Sequence, residues 1–375
     1  MIAGPPSPTR RHDFNASLNG YRGLCAMMVF VFHVGAAGII ALPSGTLAQD
    51  AISYLWTSLT YGVEMFFMIS GFVILGSVLR HRTAAAFLRD RFARIFSAWV
   101  PALCAVTLVC SVMQIPPLRG LDVLEAGRLF GANLLLLPPI VRIPMIHQVS
   151  WSLSYEWVFY LTAVVAVVLY RRHNPRYLVA AWLTVGALFI VLFPRALFFV
   201  TGVLVFRYRE WFAERARWLQ QPILSLLVFL IAWRATGAFK AHLNDTMFDY
   251  LLDGRWIAVL IALAASLHLF ASVTVNASTQ TAFLSGRVFQ FLGRISYSFY
   301  LWHTLIMSMI KRVLIPPLVA EYGTTVGIVA FALCCLAIAL PVSWLSWTLF
   351  EVRLAGVMRR AFTVRRDLGE TVRAT

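Results

Sequence analysis

The stretch Leu18 to Gly38, LNGYRGLCAMMVFVFHVGAAG, is apolar over about 20 residues, the length at which a helix crosses a bilayer. It carries two ionisable residues, Arg22 near its start and His33 deep inside. Eleven helical positions turn about 1100°, which is three turns plus roughly 20°. Arg22 and His33 therefore share one face, about 16 Å apart along the axis. Each costs on the order of a few kcal/mol in hydrocarbon unless it faces protein or water. Two roles are open to each. Arg22 is either an anchor that snorkels to the headgroups or a functional group, and His33 is either a satisfied core histidine or a reacting one.

Runs of this kind recur along the chain. Ten spans are expected, roughly 18–38, 58–79, 96–113, 152–170, 177–193, 194–207, 222–239, 255–275, 295–314 and 324–349, with a tight turn at Pro194. Of the 375 residues, 60% are hydrophobic and 13% charged, outside the range of soluble domains. The chain thus reads as an all-α polytopic membrane protein with one transmembrane domain over 18–350. A short disordered arm is expected at 1–17 and a basic cytoplasmic tail at 351–375. The first run is full length and many follow, so it is not a cleaved signal. The stretch 129–141 is apolar but short and broken by Asn133, Pro138 and Pro139, and is expected to be a surface or re-entrant segment.

The net charge of +16 comes from 32 basic residues, all but two of them arginine, scattered in short loops. That scatter argues against nucleic acid and fits the positive-inside rule. With both termini cytoplasmic, 22 Lys/Arg fall inside and nine outside. Trp56, Trp99, Trp151 and Trp233 sit at span ends and are expected to form an interfacial belt. Five cysteines without a C-x-x-C give neither a disulfide framework nor a zinc pattern.

By this topology Glu64, Glu156, His33 and His303 lie in the middle-to-outer part of the bundle. One buried carboxylate is an ordinary structural partner; two with two histidines point to chemistry. No His-x-x-x-His spacing suits a metal, so none is expected. His268 stands without patterned neighbours and reads as structural. Arg80, Arg82, Arg89, Arg91 and Arg94 cluster at the inner face, with Arg91 and Arg94 one turn apart. Plain positive-inside bias, attraction to anionic lipid and a phosphate-binding patch are all open there.

These motifs together resemble the membrane acyltransferase-3 family of integral-membrane O-acyltransferases. LNGYRGLCAMMVFVFH resembles its opening motif, Arg22, ten residues, then His33. GVEMFFMISGF resembles its second-helix motif, with Glu64 where aspartate is commoner. RDRFARIF supplies the R-x-x-R as Arg91 and Arg94. WSLSYEWVFYL resembles the W-S-L-x-x-E-x-x-F-Y signature, with Trp157 where many members have a second acidic residue, and LGRISYSFYLWH resembles the late-helix motif ending in Trp302 and His303. The resemblance implies a multi-pass enzyme of the bacterial inner membrane that moves acyl groups, commonly acetyl, from cytoplasmic acyl-coenzyme A to hydroxyls of envelope sugars. Many relatives carry an appended soluble hydrolase-like domain; a stand-alone form is expected here.

The residues and the resemblance fit one scheme. Arg91 and Arg94, with Arg22, are expected to bind the phosphates of the acyl-coenzyme A donor, which is a substrate and not a resident cofactor. His33 is the expected general base, with Arg22 and Glu156 in catalytic roles. Glu156 or Glu64 is expected to orient the imidazole. Glu64, Trp151, Tyr300 and His303 are expected on the substrate side, His303 or Tyr300 serving an oxyanion or the acceptor. The expected partners are the donor, a glycan or glycolipid acceptor, and membrane lipid. The rivals are an acyltransferase for a small molecule such as an antibiotic or lipid, and a transporter, for which no inverted repeat is visible.

Overall fold

A computed structural model describes residues 15–37, 45–81, 83–171, 176–237 and 241–361. Most of the expected arm and tail, and Arg82, lie outside the described residues. The elements in order are α1 (Ala16–Ala36), α2 (Leu47–Ser58), α3 (Gly62–Arg80), α4 (Ala84–Val112), α5 (Val123–Leu134), α6 (Trp151–Arg171) and α7 (Arg176–Leu192). They continue with α8 (Leu197–Arg207), α9 (Arg209–Glu214), α10 (Pro222–Ala235), α11 (Ala241–Asn244), α12 (Met247–Leu252), α13 (Trp256–Val275) and α14 (Arg287–Ser346), followed by a π-helical segment, Trp347–Leu354. Gly323 breaks α14 at φ 80°, a left-handed backbone that glycine adopts without a Cβ clash. Helix continues to residue 361, so the last element runs past the expected tail boundary at 351.

Among the described residues four helical stretches are long and apolar enough to cross a membrane: Leu47–Arg80, Ala84–Val112, Trp256–Val275 and Val326–Ala361. Trp182–Leu192 and Pro222–Ala235 are apolar but shorter. The second expected span is the C-terminal part of the first of these. In the segment expected to be surface or re-entrant, 129–141, the end of α5, which covers 123–134 and is started by a capping box between Asp122 and Glu125, gives way to irregular chain that runs to the prolines.

Local signals fix the ends of the helices that matter most. Asn15 caps α1 by accepting from the Leu18 N–H at 3.0 Å, and its side-chain amide donates to Thr274 O of α13. Thr83 caps α4 in the same way at 3.1 Å. Pro194 opens a single 3-10 turn, Pro194–Ala196, that swings the chain from α7 into α8.

Small residues then let backbones touch. A Cβ on Gly23 would sit 2.8 Å from Phe289 O, and one on Gly293 would collide with Asn19 O, so α1 and α14 meet backbone to backbone. Asn19 donates to Gln290 on that seam. Going along both helices, Arg22 meets Ser296, His33 meets His303 and Lys311 meets Ala37 O, so α1 and α14 run parallel. Gly71 and Gly202 bring α3 and α8 together likewise.

The tryptophans correct one expectation. Trp99, Trp151 and Trp233 are 0%, 3% and 0% exposed and pack inside, against His147, Arg195 and Glu64 respectively, so they form no interfacial belt. Span-end position in sequence does not separate an indole at the headgroups from one that fills a gap between helices. The tryptophans at about half exposure or more include Trp211, Trp218 and Trp344.

Candidate active site

A cavity lies between α1, α3, α4, α6 and α14 and holds about 780 Å³ of empty space, part of it continuous with the surroundings. Three guanidinium groups line it: Arg22 from α1 and Arg91 and Arg94 from α4. Arg22 donates from Nε and Nη2 to Ser296 Oγ at 3.3 and 3.2 Å. Arg91 is 7% exposed. Its Nη2 donates to Asp90 Oδ2 at 2.7 Å, while its Nε and Nη1 have no acceptor. Buried donors without acceptors are uncommon, because each forfeits its water bond, and the residue that carries them is one of those lining the cavity. Asp90 also accepts from Arg359 Nε at 3.0 Å, tying α4 to the C-terminal helix.

The same cavity holds a carboxylate. Glu156 of α6 accepts on Oε1 from Ser70 Oγ at 2.6 Å and from the Tyr160 hydroxyl one turn on. Tyr300 completes the wall on the α14 side, its hydroxyl donating to Val149 O at 3.0 Å and lying 2.9 Å from Ser152 Oγ.

Beyond Tyr300 stands a pair of histidines. Their ring centroids are 5.0 Å apart at 66°, and His303 stacks on Phe299 at 5.6 Å. His33 Nδ1 lies 2.8 Å from Val29 O, and His303 Nδ1 lies 2.9 Å from Phe299 O. A carbonyl only accepts, so the network assigns a proton to Nδ1 in both rings. His303 Nε2, 3.3 Å from His33 Nδ1, is then an acceptor for the same N–H. That leaves the His33 Nε2 lone pair free. A neutral imidazole with one lone pair presented and the other nitrogen held is the arrangement a general base needs.

This corrects the expected orienting carboxylate. His33 is held by Val29 O and His303, because the parallel packing of α1 on α14 delivers His303 to it, while both carboxylates are engaged elsewhere. Glu64 is fully buried. It accepts from Arg195 Nε at 2.6 Å and from Trp233 Nε1 at 3.1 Å. The Arg195 guanidinium lies 4.0 Å over the Trp151 ring. Glu64 and Trp151 thus belong to one buried knot and do not line the cavity, whereas Arg22, Arg91, Arg94, Glu156 and Tyr300 do. His33 and His303 lie just past its wall: the Tyr300 ring is 6.0 Å from His303 and 6.3 Å from Phe66, which also lines the cavity.

Sequence reasoning missed several partners. Tyr160, four residues after Glu156 on a helix, was legible as its neighbour. Arg195, which follows the expected tight turn at Pro194, is 0% exposed. Ser296 gave no signal, nor did Glu351, which takes the Ser298 N–H and hydroxyl at 3.1 and 2.6 Å. His268 bonds Ser225 Oγ and Trp218 O, both at 2.8 Å, a structural role. The five cysteines are free, and no metal-holding group occurs among the described residues.

A family model described as an acyltransferase domain matches residues 15–348. The acyltransferase MdmB of Streptomyces mycarofaciens is 27% identical over 373 residues, covering 92% of this chain and 94% of its own. The exopolysaccharide production protein ExoZ of Rhizobium meliloti strain 1021 is 29% identical over 288 residues, covering 71% of this chain and 82% of its own. Nodulation protein 10 of Rhizobium leguminosarum bv. viciae is 25% identical over 281 residues, covering 66% and 71%. No solved structure matches. With the Arg22–His33 helix, the R-x-x-R arginines and the Glu156 helix meeting around one cavity, the chain belongs to the membrane acyltransferase-3 family and is an acyltransferase.

Proposed function

We propose that this enzyme transfers an acyl group, acetyl in the simplest case, from cytoplasmic acyl-coenzyme A to a sugar hydroxyl on the far side of the bacterial inner membrane. The observation that carries the reading is the three-arginine cavity with the His33–His303 pair standing just beyond its Tyr300 wall. Coenzyme A is a phosphate-rich head on a long thin arm. Its phosphates suit Arg22, Arg91 and Arg94, because guanidinium forks match phosphate oxygens, and the free Nε and Nη1 of Arg91 supply donors already desolvated. The arm then reaches past Tyr300 to carry the thioester to His33.

His33 Nε2 takes the proton of the acceptor hydroxyl as its oxygen attacks the thioester carbonyl. The carbon–sulfur bond breaks, the ester forms, and the thiolate leaves and is reprotonated by the imidazolium. His303 Nε2 and Val29 O hold the His33 Nδ1–H throughout, so the positive charge that develops on the ring is shared between two acceptors. Glu156 balances the arginines and, through Ser70, holds α3 to α6, while Tyr160 of its own helix donates to the same oxygen. A sugar acceptor is supported by the name of one relative, an exopolysaccharide production protein.

Sealed inside-out vesicles from cells that make the acceptor test this. Radiolabelled acetyl-coenzyme A in the bath should label glycan trapped in the lumen. Transfer that requires both substrates in the bath refutes the trans-membrane route and favours a small-molecule acceptor.

A further inference from the structure

Three guanidinium groups share one cavity within an apolar bundle, and what sets their balance lies partly outside that cavity. Just after α14 the backbone widens into the π-helical segment Trp347–Leu354. Such insertions re-aim side chains and are frequent at functional sites. This one carries Glu351, which lies beyond the residues the family model matches. Glu351 Oε1 is fixed by two donors of a single residue, the Ser298 N–H at 3.1 Å and its hydroxyl at 2.6 Å. Ser298 Oγ is itself 3.0 Å from Ser346 Oγ, which accepts from Trp302 Nε1 at 2.9 Å, so the carboxylate is held in a bonded chain. Two residues before Ser298, Ser296 holds Arg22.

Glu351 does not line the cavity, and no ion pair within 4.0 Å joins it to an arginine among the described residues. It nevertheless sits close to both cations by packing: Ser296, which holds Arg22, is two residues before Ser298 on α14, and the π-helical segment packs against α4, which carries Arg94. One carboxylate faces the ligand and the other stands behind the cations. Resting on the reading of the cavity as the phosphate site of the donor, we infer that Glu351 is a positioning residue that restrains Arg22 and Arg94 from behind, limiting how tightly the cavity grips a polyphosphate so that product coenzyme A, which bears the same phosphates as the donor, is released.

This role has a sign opposite to that of a structural one. A merely structural glutamate, once removed, would loosen the arginines and weaken phosphate binding. A counter-charge, once removed, leaves the cavity more cationic and strengthens it. Glu351→Gln separates the two, because its amide oxygen still accepts from Ser298 while the charge is gone. The probe is free coenzyme A, measured by direct binding to the detergent-purified protein and as a product inhibitor. The expected result is coenzyme A binding tightened about threefold or more, with a steeper fall in affinity as salt rises. Glu351→Asp, which keeps the charge, should retain wild-type affinity and salt dependence. It carries the test if the glutamine variant is not recovered folded. Unchanged or weakened coenzyme A binding in Glu351→Gln, or a changed affinity in Glu351→Asp, overturns the assignment. Wild-type protein that binds no coenzyme A overturns the donor reading and this inference with it, whereas wild-type binding that Glu351→Gln leaves unaltered overturns this inference alone.

Discussion

Replacing Glu64 by alanine should cost stability and leave the chemistry nearly intact. Glu64 and Arg195 are both 0% exposed and joined at 2.6 Å. Removing the carboxylate takes the ion-pair partner from a buried cation, for which about 3 to 5 kcal/mol is the usual cost. The Trp151 face, 4.0 Å below the guanidinium, remains and offsets part of it, up to about 2 kcal/mol where the pair is desolvated. Trp233 Nε1 loses its acceptor as well, adding about 1 kcal/mol. A net loss of about 2 to 4 kcal/mol is expected. Adding Arg195→Met to Glu64→Ala should recover most of it, because a well-packed apolar pair in place of a buried ion pair is often neutral or stabilising. Unfolding of the purified protein in mixed detergent micelles measures the loss, and kcat/KM per folded molecule should change by less than about threefold. A Glu64→Ala protein that keeps wild-type stability but loses turnover refutes the reasoning and moves Glu64 into the reaction.

His33→Ala should lower kcat by about 10²-fold or more with normal membrane insertion, since alanine suits the helix; a variant retaining a tenth of wild-type turnover would remove His33 as the base. His303→Ala deletes one of two acceptors for the charged ring's N–H, a bond to a charged group worth about 1.5 to 3 kcal/mol, so kcat should fall about 10- to 150-fold with the acceptor KM steady. Arg91→Ala with Arg94→Ala should raise the KM for acyl-coenzyme A and spare that of the acceptor, and high salt should mimic it; an unchanged donor KM would remove the phosphate role. A cysteine placed near Arg119 should react with an impermeant reagent in intact cells, and reaction only after permeabilisation would overturn the charge-derived topology.

The parts of the site set by local periodicity were legible in the chain. Arg22 and His33 share a face because one uninterrupted helix joins them, and no other residue had to be located to see it. Arg91 and Arg94 followed from the same rule. What periodicity does not carry is which helix arrives opposite. His303 is 270 positions from His33, and the glycine seam that docks α14 on α1 becomes visible only when both backbones are placed. The two carboxylates looked alike for the same reason. Each is one acid in an apolar run, and only the turn at Pro194, which delivers Arg195 to Glu64, separates the buried pair from the cavity acid. Glu351 was hidden because the last expected span ends at 349 and leaves it in the basic tail, whereas the helix runs on through the π-helical segment to residue 361.

The glycine seam between α1 and α14 also has a consequence for biosynthesis. Arg22 waits for Ser296, 274 residues downstream, and His33 waits for His303, 270 residues downstream. At about 5 to 20 residues per second, the ribosome takes roughly 14 to 54 s to make that stretch. During that interval the first helix holds an arginine and a histidine without their final partners, next to glycines shaped for a surface that has not yet been synthesised. On the proposed mechanism the site is therefore completed late and all at once, when α14 emerges and closes against the first of the described helices. A nascent chain stalled anywhere before that helix lacks the Arg22–Ser296 and His33–His303 contacts, so on the proposed mechanism no half-built copy carries the site.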